Sequence, residues 1–375
     1  MPDDAWTLFL CGDVMLGRGV DQILPYPGDP ALYERMVRDA RTYVDLAVRA
    51  NGEIPQPVDW SWPWGDALQL LAAAGCDARI INLETSVTTS DDYARGKAVH
   101  YRMNPANIEA VAAVGPDVCV LANNHVLDFG RSGLIETLDV LARRGLSAVG
   151  AGRSLREAQV PAIVPIPRTA GRLLIFAFGS PTSGIPYGWA ARDDRPGVSL
   201  MNDLSNAAAD ELCRRVGEVR QPGDVVVVSA HWGSNWGYRV EPDQVRFAHR
   251  LIDGGVDLVH GHSSHHPRPL EVYRNKLILY GCGDLVDDYE GISGHRGYRD
   301  DLRLLYLPRL DAPSGDLAEL KMAPLQARQM RLHRASSEDA RWLRRVLDKV
   351  SRRFGSRIDL GPDGMLTLHR DPEAR

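Results

Sequence analysis

The chain has 375 residues, of which 44% are hydrophobic and 25% are charged, as in ordinary globular proteins. Its 44 basic and 49 acidic residues leave a formal net charge of −5. Such a balance provides no general attraction for nucleic acid or another polyanion. The composition therefore predicts a globular protein with a large core and no nucleic-acid partner.

The cysteines and the N-terminus indicate the compartment. No CxxC pair occurs, so neither a disulfide framework nor a thiolate zinc site is expected, and the five thiols lie at Cys11, Cys76, Cys119, Cys213 and Cys282. The N-terminus lacks the basic and apolar regions of a signal peptide. No run of eighteen apolar residues occurs, so no membrane span is expected. These features predict a cytoplasmic protein.

Short β-branched runs alternate with amphipathic stretches, which predicts an α/β fold in one domain, 1–375. Strands are predicted at 6–11, 78–83, 117–122, 172–178, 224–229, 256–260, 270–273 and 276–280. Helices are predicted at 31–50, 66–74, 105–114, 132–143, 203–219, 243–253 and 336–355. The irregular segments 25–65 and 180–202 are rich in Pro or Gly and are predicted to be substrate loops.

Polar side chains follow the predicted strands where each strand ends. They are Asp13, Asn82, Glu84, Asn124, His125 and His231, followed by His260, His262, His265 and His266. In open α/β sheets, ligands bind in the crevice at the carboxyl ends of the strands. Carboxylate and amide oxygens with imidazole nitrogens suit a divalent ion. We expect Ca²⁺ or Mn²⁺, with Zn²⁺ or Fe²⁺ also compatible, and no organic cofactor.

These motifs also carry a family resemblance. The order Gly-Asp, acid, Asn-His, lone His and Gly-His resembles the calcineurin-like metallophosphoesterase superfamily. More closely, the stretches GDVMLGR, NLETSVTTS, LANNHVLDFG, GAGRSLREAQ and GHSSHH resemble the CapA family, named for poly-γ-glutamate capsule synthesis. The resemblance implies an αββα sandwich with a metal site at the carboxyl ends of its strands.

The resemblance also implies roles for individual residues. Asp13 and His265 would contact a first metal, and Glu84 would take the place of a bridging carboxylate. A second metal would be held by Asn124, His231 and His262. His125 would be an acid/base that does not bind metal.

The chain departs from the superfamily pattern at the first motif. The superfamily normally has a histidine two residues after the aspartate, whereas this chain has Met15. A thioether is a poor ligand for a hard divalent ion. Because in-line attack on phosphate benefits from two metals, this departure argues against phosphoester hydrolysis.

Three functions remain open, and acid/base chemistry on a peptide is favoured. The chain also resembles soluble CapA-like epimerases that invert a Cα of lasso-peptide precursors. Such a reaction needs two bases on opposite faces of one carbon. The candidate pairs are His125 with Asp128 or Asp13, and His231, His265 or His295 with Asp287 or Asp288. The alternatives are a component of poly-γ-glutamate (capsule) biosynthesis and a metallophosphoesterase.

A peptide substrate also needs apolar walls and a group that holds a carboxylate. Trp232 and Trp236 flank the turn that follows the predicted ligand His231, and Trp62 lies in the first irregular segment. Arg102, and less so Arg18, are candidates for the carboxylate contact. We therefore predict Trp62, Trp232, Trp236 and Arg102 as peptide-binding residues, with no membrane partner.

Overall fold

The structure is a computed structural model that describes residues 5–166, 171–292, 294–312 and 314–370. The strands, in chain order, are β1 (Ala5–Val14), β2 (Ala78–Leu83), β3 (Ser86–Val87), β4 (Arg102–Met103), β5 (Val118–Val120), β6 (Ser147–Val149), β7 (Ala151–Gly152), β8 (Ala162–Pro165), β9 (Arg172–Gly179), β10 (Gly197–Val198), β11 (Val225–His231), β12 (Leu258–His262), β13 (Leu270–Tyr273), β14 (Lys276–Leu279), β15 (Asp284–Val286), β16 (Leu302–Asp311), β17 (Leu317–Arg328), β18 (Arg331–Arg334), β19 (Ser356–Leu360) and β20 (Leu366–Arg370).

The α-helices connect these strands. They are α1 (Gly19–Ile23), α2 (Arg41–Asn51), α3 (Ala67–Ala74), α4 (Ile108–Ala112), α5 (Gly130–Arg144), α6 (Leu155–Gln159), α7 (Asn206–Val219), α8 (Pro242–Asp253) and α9 (Ser337–Ser351). Short 3-10 turns occur at Trp62–Trp64, Pro105–Asn107, Pro181–Ser183, Tyr187–Trp189, Arg296–Tyr298 and Arg352–Phe354. In the described part of the chain, no helix is both long and apolar enough to span a membrane.

Two mixed sheets form the centre of the molecule. The first has the order β19-β20-β17-β16-β1-β2-β5-β6, with β15 beside β1 and β18 beside β17. Within it, β1, β2, β5 and β6 run parallel, and β16 joins β1 in antiparallel register. The second sheet has the order β13-β14-β12-β11-β9-β8, and its four middle strands run parallel. Such central strands are buried on both faces, which explains the continuous apolar run of β11.

Three apolar cores arrange these elements in layers. Residues of both sheets, among them Ile80, Val227 and Tyr306, form a buried core between the sheets. A second core lies between the first sheet and helices α1 to α5. A third lies between the second sheet and helices α7 and α8. The layers are therefore helix, sheet, sheet and helix, which confirms the predicted αββα fold class; a single domain over 1–375 stays a prediction.

The first irregular segment differs from its prediction. The helix predicted at 31–50 begins only at Arg41, and Ala31 instead pairs with Asp39 in a β-bridge. The buried carboxylate of Glu34 forms an ion pair with Arg18, 2.8 Å away. Segment 31–40 is therefore held by tertiary contacts and does not form the first turns of the predicted helix.

The C-terminal part contains strands that the sequence patterns did not predict. The hairpin of β16 and β17 carries Pro308 and Pro324 inside its strands, opposite Leu320 and Leu304 respectively. Proline within a run argues against a central strand, because it cannot donate a ladder hydrogen bond. The helix predicted at 336–355 is present as α9 followed by a 3-10 turn, and the Ser336 hydroxyl accepts from the backbone of Asp339.

The core between the sheets yields a stability prediction. Ile80 lies fully buried in this core on β2, whereas Ile163 on the edge strand β8 is 46% exposed. Ile80→Ala should lower the free energy of unfolding by about 2–5 kcal/mol through lost burial and a cavity. Ile163→Ala should change it by about 0.5 kcal/mol or less. Urea denaturation of both variants measures this difference, and equal losses would contradict the assigned inner core.

Candidate metal centre

The strand register places polar side chains from both sheets at one end of the interface between the sheets. Asp13 on β1 is the register partner of Asn82 on β2 and of Asp284 on β15. His231 on β11 is opposite His262 on β12. Because these pairs run parallel, side chains at the carboxyl ends of both sheets meet at this end of the molecule.

Asp13, His231 and His262 form a cluster that can hold a cation. One potential ligand atom from each lies within 4.8 Å of the others, and all three residues are buried. The Nδ1 atoms of His231 and His262 are 2.8 Å apart, and Nδ1 of His262 lies 3.8 Å from Oδ1 of Asp13. Within the described ranges, this is the one group of three His, Cys, Asp or Glu residues that meets this criterion.

Two buried carboxylates at the cluster lack a permanently charged partner. Asp13 is fully buried and Glu84 is 2% exposed, yet neither forms an ion pair with a described lysine or arginine. The Asn82 amide donates to both, at 2.7 Å to Asp13 and 3.3 Å to Glu84. Burial, followed by repulsion from Asp284, raises the pKa of Asp13 to about 7. Burial, followed by repulsion from Asp13, also raises the pKa of Glu84.

A chain of hydrogen bonds orients His262 toward the cluster. The carbonyl of Cys11 can only accept, so Nε2 of His260, 2.7 Å away, carries a hydrogen. Burial lowers the pKa of His260 to about 4, which leaves its Nδ1 as an acceptor for the Ser229 hydroxyl at 3.1 Å. The Ser229 oxygen then accepts from Nε2 of His262 at 2.9 Å. Nδ1 of His262 therefore presents a lone pair to Asp13 and His231.

His231 is oriented in the same sense. Its Nε2 lies 2.8 Å from Oδ1 of Asn124, so this nitrogen donates and Nδ1 keeps a lone pair. Burial is the main cause that keeps the pKa of both His231 and His262 well below the usual value, so both are neutral. Two lone pairs that face each other at 2.8 Å repel unless a cation lies beside them. Two imidazoles and the carboxylates form a donor set that fits a divalent ion, and Nε2 of each imidazole, on the side away from the cluster, is already hydrogen-bonded.

The two asparagines that end the β5 segment have different roles in the structure. The side-chain oxygen of Asn123 accepts from the backbone N–H groups of His125 and Val126 and so shapes the turn. The Asn123 amide also donates to Asn82, 3.1 Å away. Asn124 instead faces His231. The turn and the site therefore each use one of the two amides.

His125 pairs with Asp128, as one of the sequence alternatives predicts. Its Nδ1 lies 2.6 Å from Asp128, while Nε2 faces Glu84 at 3.7 Å. The sequence patterns did not identify Lys97, whose ammonium contacts Asp128 and lies 2.9 Å from Nδ1 of His125. Burial, only partly opposed by Asp128, lowers the pKa of His125 to about 4. The imidazole is therefore neutral, with Nε2 directed at the cluster. The ring of Trp189, from the 180–202 segment, lies 5.1 Å from the Lys97 ammonium.

His265 pairs with a different aspartate from those predicted. Both oxygens of Asp284 lie 3.0 Å from its Nδ1, and Asn235 lies 2.9 Å from its Nε2. Burial opposes the charged form, but Asp284 prevails and raises the pKa of His265. Both ring nitrogens thus have partners other than the cluster, and a ligand role for His265 stays a prediction.

The predicted partners Asp287 and Asp288 are wrong, because buried arginines take both carboxylates. Asp287 pairs with Arg303, and Asp288 accepts from Nε of Arg18 at 3.0 Å. These arginines lie 16 and 270 residues away from their partners in the sequence. The pairing could therefore not be read from local spacing. Arg18 is consumed by this contact and by Glu34, so it is not a free carboxylate-binding group.

Trp236 and His295 lie together at the edge of the site. Their rings stack with centroids 3.8 Å apart, and the Trp236 ring lies 5.2 Å from that of His265. His295 is exposed and does not pair with the predicted aspartates. The structure thus brings Trp236 next to the site, whereas the predicted His295–Asp287 or His295–Asp288 pair is wrong.

Three other predicted peptide-binding residues have structural contacts instead. Trp232 is 1% exposed, packs against Phe178 and donates to the carbonyl of Tyr280 at 3.1 Å. The indole of Trp62 donates to the carbonyl of Gln329 at 3.0 Å. Arg102 donates to the carbonyls of Ser90 and Asp29. The buried indole of Trp232 is not available to a peptide, so that assignment is corrected. Trp62 and Arg102 are partly exposed, and their peptide-binding role stays a prediction.

Met15 occupies the position where the superfamily has a histidine, and it contributes no ligand. Its side chain is buried, and its sulfur accepts from the hydroxyl of Tyr289 at 3.9 Å.

A strained residue also contacts the cluster. The backbone N–H of Ser263, a residue with φ of 97°, donates to Asp13 at 3.2 Å. A non-glycine residue in this region of φ is strained, so the fold maintains this contact at a conformational cost.

The geometry predicts that the protein binds a divalent ion through Asp13, His231 and His262. After incubation with Mn²⁺ and dialysis, Asp13→Ala and His262→Ala should each lose metal, because each removes one of three clustered ligands. His249→Ala is the control, since His249 stacks on Tyr273 outside the site. Elemental analysis of folded samples measures the content. Equal metal in the wild type and all three variants would contradict the site.

Comparisons with known proteins agree with this picture at the level of the family. A family model described as bacterial capsule synthesis protein PGA_cap matches residues 7–289. A "probable polyglutamine synthesis accessory protein" of Mycobacterium tuberculosis is 54% identical over 366 residues, covering 97% of this chain and 96% of that protein. The "PGA biosynthesis protein CapA" of Bacillus subtilis is 26% identical over 356 residues, covering 92% and 81%.

Among solved structures, a 5'-nucleotidase precursor from Thermus thermophilus aligns with a TM-score of 0.43 at 14% identity, covering 86% of this chain and 54% of that one. The family match rests on the sequence comparisons, which span most of the chain and include every strand end of the metal centre. The chain belongs to the bacterial capsule synthesis protein (PGA_cap) family.

Proposed function

We propose that this protein is a divalent-metal-dependent enzyme that cleaves an amide bond of a glutamyl chain during synthesis of poly-γ-glutamate or a related polymer. The observation that carries the proposal is the buried Asp13, His231 and His262 cluster next to the His125–Asp128 pair. The names of the relatives, which refer to PGA and polyglutamine synthesis, support the substrate class. They support a role in glutamyl-polymer synthesis better than peptide epimerisation, and the amide-cleavage step is inferred from the cluster and His125 alone.

His125 is the proposed group that moves the proton. Its Nδ1–H donates to Asp128 at 2.6 Å, so Nε2 keeps a lone pair on the side of the cluster. A bound divalent ion would supply Lewis acidity to the substrate carbonyl and to water. As water attacks the carbonyl carbon, Nε2 of His125 takes its proton. When the carbon–nitrogen bond breaks, the same atom returns the proton to the leaving nitrogen.

Lys97 and Asp128 position this imidazole. The ammonium of Lys97 contacts Asp128 and the carbonyl of Asn124, so it ties the His125 turn to the segment around residue 97. Asp128 also accepts from the backbone N–H of Tyr101 at 2.7 Å. A carboxylate held in this way fixes the tautomer of its histidine.

Replacing His125 tests the proton-transfer role. With Mn²⁺ and a γ-linked glutamate oligomer, His125→Ala should cleave about 10²–10⁴-fold more slowly than the wild type, because positioned acid/base help is lost. Metal content should be retained, since His125 is not a ligand. His249→Ala should cleave at the wild-type rate. Mass spectrometry follows the shortened chains, and wild-type activity in His125→Ala would exclude the assigned role.

A second candidate is inversion at a Cα of a peptide chain. Two histidine–carboxylate pairs, His125–Asp128 and His265–Asp284, lie at the same site, and such a reaction requires two acid/base groups. Phosphoester hydrolysis is less well supported, because Met15 stands where the first superfamily motif has a metal-binding histidine.

Incubation in deuterated water separates the two candidates. Amide cleavage should give shortened chains without deuterium at any Cα, because no C–H bond is broken. Inversion should instead add one deuterium per inverted residue to chains of unchanged length. We expect the first result, measured by mass spectrometry with His125→Ala as the matched control. If the wild type instead produces deuterated chains of full length, amide cleavage is contradicted and epimerisation is supported.

A further inference from the structure

A cavity lies at the turn that follows β11, and none of the three clustered ligand residues lines it. Its volume is about 630 Å³, and its lining includes Thr182, Gly233, Gln244 and Arg268. Gly233 is two residues after His231, so the turn that follows β11 separates the cavity from the metal cluster. Ser263 lies between the two places, because its backbone N–H donates to Asp13 at 3.2 Å and its hydroxyl donates to the carbonyl of Gly233 at 3.5 Å.

Arg268 brings an uncompensated positive charge to this cavity. Its side chain is 1% exposed and contacts only neutral groups, namely the carbonyl of Arg239 at 3.3 Å and the carbonyl and hydroxyl of Ser234 at 2.6 and 2.9 Å. Its Nε has no hydrogen-bond partner. Among the described residues, no carboxylate lies within ion-pair distance of it. A buried charge without a counter-charge is unfavourable.

Gln244 adds a second unpaired donor. Its Oε1 accepts from the backbone of Glu241 in a capping box at the start of α8, while its buried Nε2 has no partner. A Cβ on Gly233 would lie 2.9 Å from Nε2 of Gln244 and 3.3 Å from Nη1 of Arg268. The absence of a side chain at Gly233 thus keeps open the space where the two donors converge.

The acidic residues at the rim do not neutralise Arg268. Glu241 is exposed and pairs with Arg239 at 3.2 Å, and Asp243 pairs with Arg246 at 2.7 Å. The third, Asp203, is exposed and accepts from the backbone of Ser205. Glu241 attracts the Arg268 charge from beyond ion-pair distance, but burial outweighs the attraction and lowers the pKa of Arg268 to about 10. Arg268 therefore still lacks a contacting counter-charge at the inner end of the cavity.

We propose that this cavity binds a carboxylate group of the substrate chain, with Arg268 and Gln244 as its donors. The inference rests on the proposed function, because a glutamyl polymer is the substrate that carries a carboxylate on every residue. An Arg–carboxylate contact is charge-assisted and can be bidentate, which suits recognition of such a chain.

Binding measurements in the Asp13→Ala background test the cavity separately from catalysis. The probes are a γ-linked glutamate trimer and the same trimer with every carboxylate amidated, titrated by calorimetry. The glutamate trimer should bind, and the amidated trimer should bind at least about 10-fold more weakly, because a charge-assisted contact is lost.

Gln244→Glu is the decisive variant. It preserves the oxygen that caps α8 but places a carboxylate next to Arg268, so the internal pair should exclude the ligand. Binding of the glutamate trimer should fall by about 10-fold or more, with the melting temperature unchanged or raised. Arg268→Met should weaken binding similarly. Arg246→Met removes an exposed arginine of α8, the helix that carries Gln244, and this variant should bind the trimer like the parent.

Equal trimer affinity in Gln244→Glu and its parent, or equal affinity for the amidated trimer, would overturn the proposal. If Arg268→Met does not fold, Gln244→Glu still decides. If the trimer binds as expected but the wild type cleaves no amide bond, the proposed function fails and the carboxylate site stands. If the wild type cleaves the amide bond while Gln244→Glu binds the trimer normally, the proposed function stands and the carboxylate site fails.

Discussion

Asp13 and Glu84 are buried carboxylates that form no ion pair with a described lysine or arginine. Burial raises the pKa of both, that of Asp13 to about 7, so a bound cation would stabilise their charged forms. The neighbouring groups are arranged for that charge. Asn82 donates to both carboxylates, and His231 and His262 direct lone pairs at the same volume. Buried carboxylates and imidazole lone pairs around one volume form a donor set that suits a divalent ion.

The centre depends on the interface between the two sheets. His260 on the second sheet donates to the carbonyl of Cys11 on the first, and through Ser229 it determines which nitrogen of His262 faces Asp13. A hydrogen-bond chain of this kind transmits the relative position of the sheets to the ligand. In metal sites, such outer contacts commonly set ligand orientation and affinity. The fold and the chemistry are therefore linked at the level of a single tautomer.

The sequence by itself determined the fold class and which polar residues lie at the strand ends. Period-two and continuous apolar runs mark buried strands, and the residue after such a run must lie at a strand end. Glu84 directly follows its predicted strand, and each of the others lies two residues beyond one, so their convergence follows once the strands are parallel; these others are Asp13, Asn124, His231 and His262. The pairing of His125 with Asp128 was also accessible, because three residues in one turn bring the two side chains together.

Only the tertiary structure decided which distant charges meet. Lys97 joins His125 from a segment without regular structure, and Asp284 takes His265 because β15 lies beside β1. The burial of Trp232 and the unpaired charge of Arg268 are likewise invisible in local patterns. Burial and ion pairing depend on packing between elements far apart in the chain, whereas strand ends depend only on local periodicity. That difference is the physical reason why the sequence indicates which residues lie at the strand ends but not which distant charges they meet.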